Sequence, residues 1–192
     1  MMEKKYKLTE ETINVDGRTL YRIEALKDFD VVEKGDKGGF IENESNLSQS
    51  GDCWVYGNAK VYGNAKVYDE AKVYGNAKVF GDAEVYGIAE VCDNAKVFGR
   101  ARIYGNAEIL AKTVVCGDAE ITSNSDYIVF KNWWSSGRYF TWTRSNNMWK
   151  VGCFYGTGEE LIEEAYEDSE KTGEEYRKFV KYVDSIIVNG SI

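Results

Sequence analysis

Histidine is absent from all 192 residues. With it goes the side chain that titrates nearest neutral pH, the usual general base for activating a hydroxyl or an amine. Cysteine is scarce. Cys53, Cys92, Cys116 and Cys153 show no CxxC spacing and stand where neighbouring segments carry Ala, Tyr or other apolar residues, so they read as reduced structural thiols. No apolar run is long enough to span a bilayer, and Met1 to Lys7 is too charged for the apolar segment of a signal peptide. Cytoplasmic residence is the resulting expectation. Positive charge is in the minority, 24 Lys and Arg against 32 Asp and Glu, giving a formal net charge of −8. That balance disfavours nucleic acid, because neutralising phosphates needs a basic surface.

What the chain has in abundance is a repeat. From Cys53 to Thr122 a small residue, any residue and then Val or Ile return every six positions: VYGNAK, VYGNAK, VYDEAK, VYGNAK, VFGDAE, VYGIAE, VCDNAK, VFGRAR, IYGNAE, ILAKTV and VCGDAE. Twelve hexads keep register from Val55 to Ile121. A period this short and strict points to a parallel β-helix of stacked coils. Within a hexad four residues alternate and two turn formers follow, a short strand and then a corner. Alternation puts Val or Ile and the Ala two before it on one side, inside; Lys or Glu and Tyr or Phe take the other. Gly and Asn supply the corner because they tolerate positive φ.

Before the repeat, Tyr6 to Ile23 alternates around Asp16-Gly17 and reads as a hairpin. Ala25 to Gly38 reads as a connection. Gly39-Phe40-Ile41 and Ser45-Asn46-Leu47 repeat the small-x-aliphatic signature but run two residues out of phase, since Leu47 to Val55 is eight positions. An irregular first coil with a bulged corner near Ser48 to Gly51 is expected, with the hairpin covering its open edges. After Thr122 the composition changes. Tyr127 to Phe130, Tyr139 to Thr143 and Met148 to Tyr155 read as three strands of an antiparallel meander. Thr157 with Glu160, and Thr172 with Glu175, read as capping boxes opening two helices, the second burying Tyr176, Phe179, Val180, Val183 and Ile187. The fold class is therefore mainly β: a hairpin cap at 1–36, a parallel β-helix at 37–125 and a small α+β unit at 126–192.

The KYKL opening, the hairpin, the passage KGDKGGFIENESNLSQSGDCWVYGNAKV and the hexads that follow resemble the hexapeptide-repeat proteins of bacteria and phages that carry an acetyltransferase label. The resemblance covers roughly residues 4–125. It implies a left-handed β-helix with three hexads closing a triangular coil of eighteen residues. It also implies acetyl-CoA chemistry through a histidine base, and the carbonic anhydrases built on the same prism hold zinc through three histidines. Neither mechanism is open to a chain without histidine. No insertion interrupts the hexads, so the loop that closes over acetyl-CoA in such enzymes is missing as well. No cofactor is expected.

Given that coil, the outward residues sort into three faces. One carries Lys60, Lys78 and Lys96 beside Tyr62, Phe80, Phe98 and Cys116. A second carries Tyr68, Tyr86 and Tyr104 with Lys66, Glu84, Arg102 and Glu120. The third carries Tyr56, Tyr74, Cys92 and Leu110 with Trp54, Lys72, Glu90 and Glu108. Aromatic columns commonly serve only to stack coil on coil. A flat apolar stripe of this length is also a contact surface, and the first face is the best candidate because its charges share one sign. In the C-terminal unit Trp133, Trp134, Arg138, Tyr139, Trp142 and Arg144 crowd together, either as core or as a stacking pocket with arginine as its polar partner. The expected function is non-catalytic binding or scaffolding, with a protein partner, a homotrimer or a nucleotide-like ligand as candidate occupants. Two competing readings are an acyltransferase using Asp118, Glu120 or Cys116, and a phage-encoded inhibitor of host defence.

Overall fold

The computed structural model describes residues 3–133 and 137–188. The chain forms two compact units, residues 1–124 and 125–192. In the first, β1 (Tyr6–Val15) and β2 (Arg18–Ala25) make the hairpin, with Asp16 at φ 53° and Gly17 at φ 79° turning between them. β2 pairs antiparallel with β3 (Lys37–Ile41), and β3 pairs parallel with the rung Lys60–Val61. Hairpin and first face are thus one continuous seven-stranded sheet.

The hexads form two-residue rungs that pair parallel every eighteen residues: Lys60 with Lys78, Lys72 with Glu90, Arg102 with Glu120. Three faces rise side by side, and the chain winds as a left-handed hexapeptide-repeat β-helix of about five turns. At a strand spacing of ~4.8 Å the column is on the order of 20 Å long. All twelve inward Val and Ile side chains are buried, and so are the Ala residues two before them. A methyl group is what fits there, where three walls converge. The hexad Ile109–Val114 departs by placing Thr113 at the small position, its hydroxyl donating to Leu110 O at 2.6 Å.

The first coil carries two additional residues. Phe40 pairs with Lys60 and Leu47 with Val67, each twenty positions apart. The surplus is taken up before Cys53, where Gly51 turns at φ 69° with its backbone pressed against Asp69. The coil's open edge is closed by the N-terminal segment. The buried Lys5 ammonium donates to Gly51 O (3.0 Å), Cys53 O (2.8 Å) and Cys53 Sγ (3.3 Å). Tyr6 Oη donates to Leu47 O at 2.7 Å, and the rings of Tyr6 and Phe29 pack edge-on against buried Trp54.

The second unit is a four-stranded antiparallel meander, Tyr127–Lys131, Tyr139–Thr143, Met148–Val151 and Phe154–Gly156, with helices α1 (Gly158–Asp168) and α2 (Glu170–Val188). The run expected as one third strand is two, because Gly152 at φ 56° reverses the chain and pairs Val151 with Phe154. α1 begins with the expected capping box of Thr157 and Glu160. α2 begins earlier than its sequence signal, since Ser169 Oγ accepts from Thr172 N and draws Glu170 and Lys171 into the first turn. Tyr176, Val180 and Val183 are buried against the meander with Phe140, Trp142, Trp149, Val151, Leu161 and Ala165, while Ile187 stays exposed. No helix among the described residues is long and apolar enough to cross a membrane.

Candidate functional site

The lysine face is built by register. Parallel pairing sets Lys60 beside Lys78 and Lys78 beside Lys96, and it sets the aromatic residues two positions on in their own column. Tyr62 stacks on Phe80 at a centroid distance of 5.0 Å and 3° between planes, and Phe80 on Phe98 at 4.8 Å and 12°. The spacing matches one rung, so each ring covers the next coil's ring.

The charges of this face have no carboxylate partners among the described residues. Lys60 Nζ donates to Asn58 O at 2.7 Å, and neither Lys78 nor Lys96 is in an ion pair. Burial, and after it the charge of Lys78, hold the Lys60 ammonium below the usual lysine range. The other two faces mix both signs, and several of their charged groups find partners. Glu120 pairs with Arg102 and accepts from Tyr104, Glu84 accepts from Tyr68, Glu90 accepts from Tyr74, and Lys72 meets Asp30 at 2.8 Å.

The hairpin reaches over the start of this face. Tyr62 is only 4% exposed, packed with Val15, Leu20 and Phe40, and its hydroxyl donates to Asp16 Oδ2 at 3.1 Å. Arg22 lies over the Phe40 ring, its guanidinium carbon 4.2 Å from the centroid. It donates to Gly38 O and Gly57 O and is tied to Glu11. Hairpin coverage leaves Lys60, Lys78, Lys96, Phe80 and Phe98 as the accessible part. Asp16 is legible in the sequence only as a turn residue and Arg22 only as a strand residue, because strand alternation says which side a residue takes but not which column its strand extends.

The aromatic group of the second unit divides. Trp142 is buried in the core, 1% exposed, with Nε1 donating to Asn147 Oδ1 at 2.8 Å, so its ring faces are covered by its own unit. Trp133 is 81% exposed, Arg138 is exposed and Tyr139 half-buried, with Lys131 Nζ 5.9 Å from the Tyr139 centroid. Arg144 lies past the far end of the same strand, about 20 Å of extended chain from Arg138. Trp134 falls outside the described residues. Arg138 lines a small cleft of about 40 Å³ with Val151, Phe154, Leu161, Glu164 and Tyr176, roomy enough for a solvent molecule and too tight for a base or a sugar.

The three groups considered for acyl transfer differ in surroundings, with Asp118 exposed at a corner. Glu120 is held by Arg102 and Tyr104, and Cys116 is 5% exposed. Among the described residues no group of three acidic or cysteine side chains is placed to hold a metal ion.

No family model matches the sequence. Over 61 residues the chain is 39% identical to a protein of Escherichia coli (strain K12) described as "Uncharacterized acetyltransferase YdcK". The match takes in 28% of this chain and 19% of that protein, so it spans about a fifth of the relative's length.

Proposed function

We propose that this hexapeptide-repeat β-helix is a non-catalytic docking protein whose lysine-and-phenylalanine face receives an anionic protein surface. The carrying observation is the ladder of Lys60, Lys78 and Lys96, stacked in register with no carboxylate to balance it. Like charges on directly neighbouring strands are unfavourable in the free molecule, and a docked carboxylate row relieves that repulsion. Phe80 and Phe98 add apolar area beside the charges. The missing histidine and the unbroken coils support the same reading, since the usual base for activating a hydroxyl or an amine is absent and no loop leaves the hexads.

The test is affinity capture with the wild-type chain and with Lys78→Glu/Lys96→Glu. The expected result is at least about tenfold weaker recovery of a specific partner, a loss of ~1.4 kcal/mol or more, at unchanged thermal stability. Equal recovery by both proteins sinks the reading. An acyltransferase activity is the second reading, favoured by the similarity to the E. coli protein described as an acetyltransferase. Acetyl-CoA titrated calorimetrically separates the two: heat of binding supports the enzyme, and none at millimolar ligand retires it.

A further inference from the structure

The lysine ladder and helix α1 are complementary in charge and close in spacing. Lys60, Lys78 and Lys96 sit one rung apart, ~4.8 Å, so three ammonium groups span about 10 Å. On α1, Glu159, Glu163 and Glu167 recur every four residues, about 6 Å apart along the axis and 12 Å from first to last. They lie opposite the buried Leu161 and Ala165, and all three are exposed with no ion pair among the described residues. Glu160, by contrast, is spent on the helix cap, its carboxylate accepting from Thr157 N at 2.8 Å. The two rows drift apart by about 2 Å over their length, well within the reach of lysine's four-carbon stem.

Resting on the docking-face reading above, we infer that the occupant of the ladder is helix α1 of a second copy of this chain. A carboxylate row suits this face better than a nucleic acid does. The face itself carries three lysines, and the corners beside it mix Asp82 and Asp93 with Arg100 and Lys112, on a molecule of net charge −8. Donor helix and acceptor ladder are different surfaces, so the contact is head-to-tail: each chain offers one ridge and one ladder.

That geometry has a signature that self-complementary packing of prism on prism lacks. Sedimentation velocity of the full chain at about 200 µM, a concentration that reveals even weak association, is expected to give a mass above the 21.8 kDa of one chain. Lys78→Gln/Lys96→Gln and Glu163→Gln/Glu167→Gln should each be monomeric with unchanged circular dichroism. Mixed in equal amounts they should form a one-to-one pair, because one supplies an intact ridge and the other an intact ladder. A monomeric wild type, association that survives either folded variant, or a mixture that stays monomeric overturns the inference. The docking-face reading fails separately: a monomeric wild type that still loses a captured partner when the ladder is changed refutes self-docking alone.

Discussion

At the corners the residue after each outward aromatic position adopts positive φ whatever its type. Gly57, Gly63, Gly75 and Gly81 do so without steric cost, and Asp69, Asp93 and Ala111 do so at φ 58°, 58° and 59°. The two aspartates recover part of the cost by accepting from the corner one coil on, Asp69 from Gly87 N at 3.2 Å and Asp93 from Ala111 N at 3.0 Å. Ala111 has no side-chain acceptor to offer. Ala111→Gly keeps its N–H and should raise stability by about 0.5–1 kcal/mol, read from urea unfolding. A lower midpoint would show that the corner is not strained. A second residue rule concerns tyrosine. Tyr68, Tyr74 and Tyr104 donate to glutamates sixteen positions on, whereas Tyr56 faces Lys72 at that offset and its buried hydroxyl has no partner among the described residues. Tyr56→Phe should therefore be neutral or stabilising by up to about 1 kcal/mol, and Tyr74→Phe should cost about 1–2 kcal/mol. Equal losses in the two variants would refute the distinction.

The column is the element that matters here, and its chemistry differs from face to face. Where the aromatic is Phe80 or Phe98 the next coil offers Lys96 or Val114; where it is Tyr68 or Tyr74 the next coil offers a glutamate. The tyrosine columns make the fold sensitive to alkali. Burial and then Asp16 push Tyr62 up to about 12. Burial raises Tyr6, as do burial and Glu84 for Tyr68, and the Glu90 carboxylate with burial for Tyr74. Unfolded tyrosines ionise near pH 10, so above that value the native state holds protons that the unfolded state has released. The tyrosine contribution is complete below about pH 10 and is lost as pH rises through the folded values. Urea midpoints should fall steeply between about pH 10 and pH 12, and Tyr68→Phe/Tyr74→Phe should flatten the fall. A midpoint independent of pH across that interval would contradict the shifts.

Across the whole molecule, two cores are built by opposite means. The β-helix spreads burial over small Val and Ala side chains repeated along its axis, and the C-terminal unit concentrates it in Phe140, Trp142, Trp149 and Tyr176. A truncation in the second core should thus be costly: Phe140→Ala, which removes a ring meeting Tyr176 and Phe179, should cost about 3–5 kcal/mol. Tryptophan fluorescence reads it directly, since Trp142 and Trp149 lie in that core. An unshifted transition would place the stabilising contacts elsewhere.

The sequence by itself determined the coil. A six-residue period with one inward aliphatic per hexad leaves a single burial pattern, and the eight-residue step from Leu47 to Val55 already located the wide corner of the first turn. Which side chains share a column followed only once the resemblance supplied a coil of eighteen residues, and the rung pairing bears out that grouping, the lysine ladder included. Only the tertiary structure decided which of those side chains remain accessible. Tyr62 lies under the hairpin and Trp54 under Phe29, and Lys5, one more charged residue in a charged N-terminal stretch, is buried as the clasp of the first coil. The physical reason is separation along the chain. Periodicity is a local property carried by neighbours six residues apart, while covering and clasping depend on contacts across more than forty residues, as from Asp16 to Tyr62 and Lys5 to Cys53, that no repeat encodes.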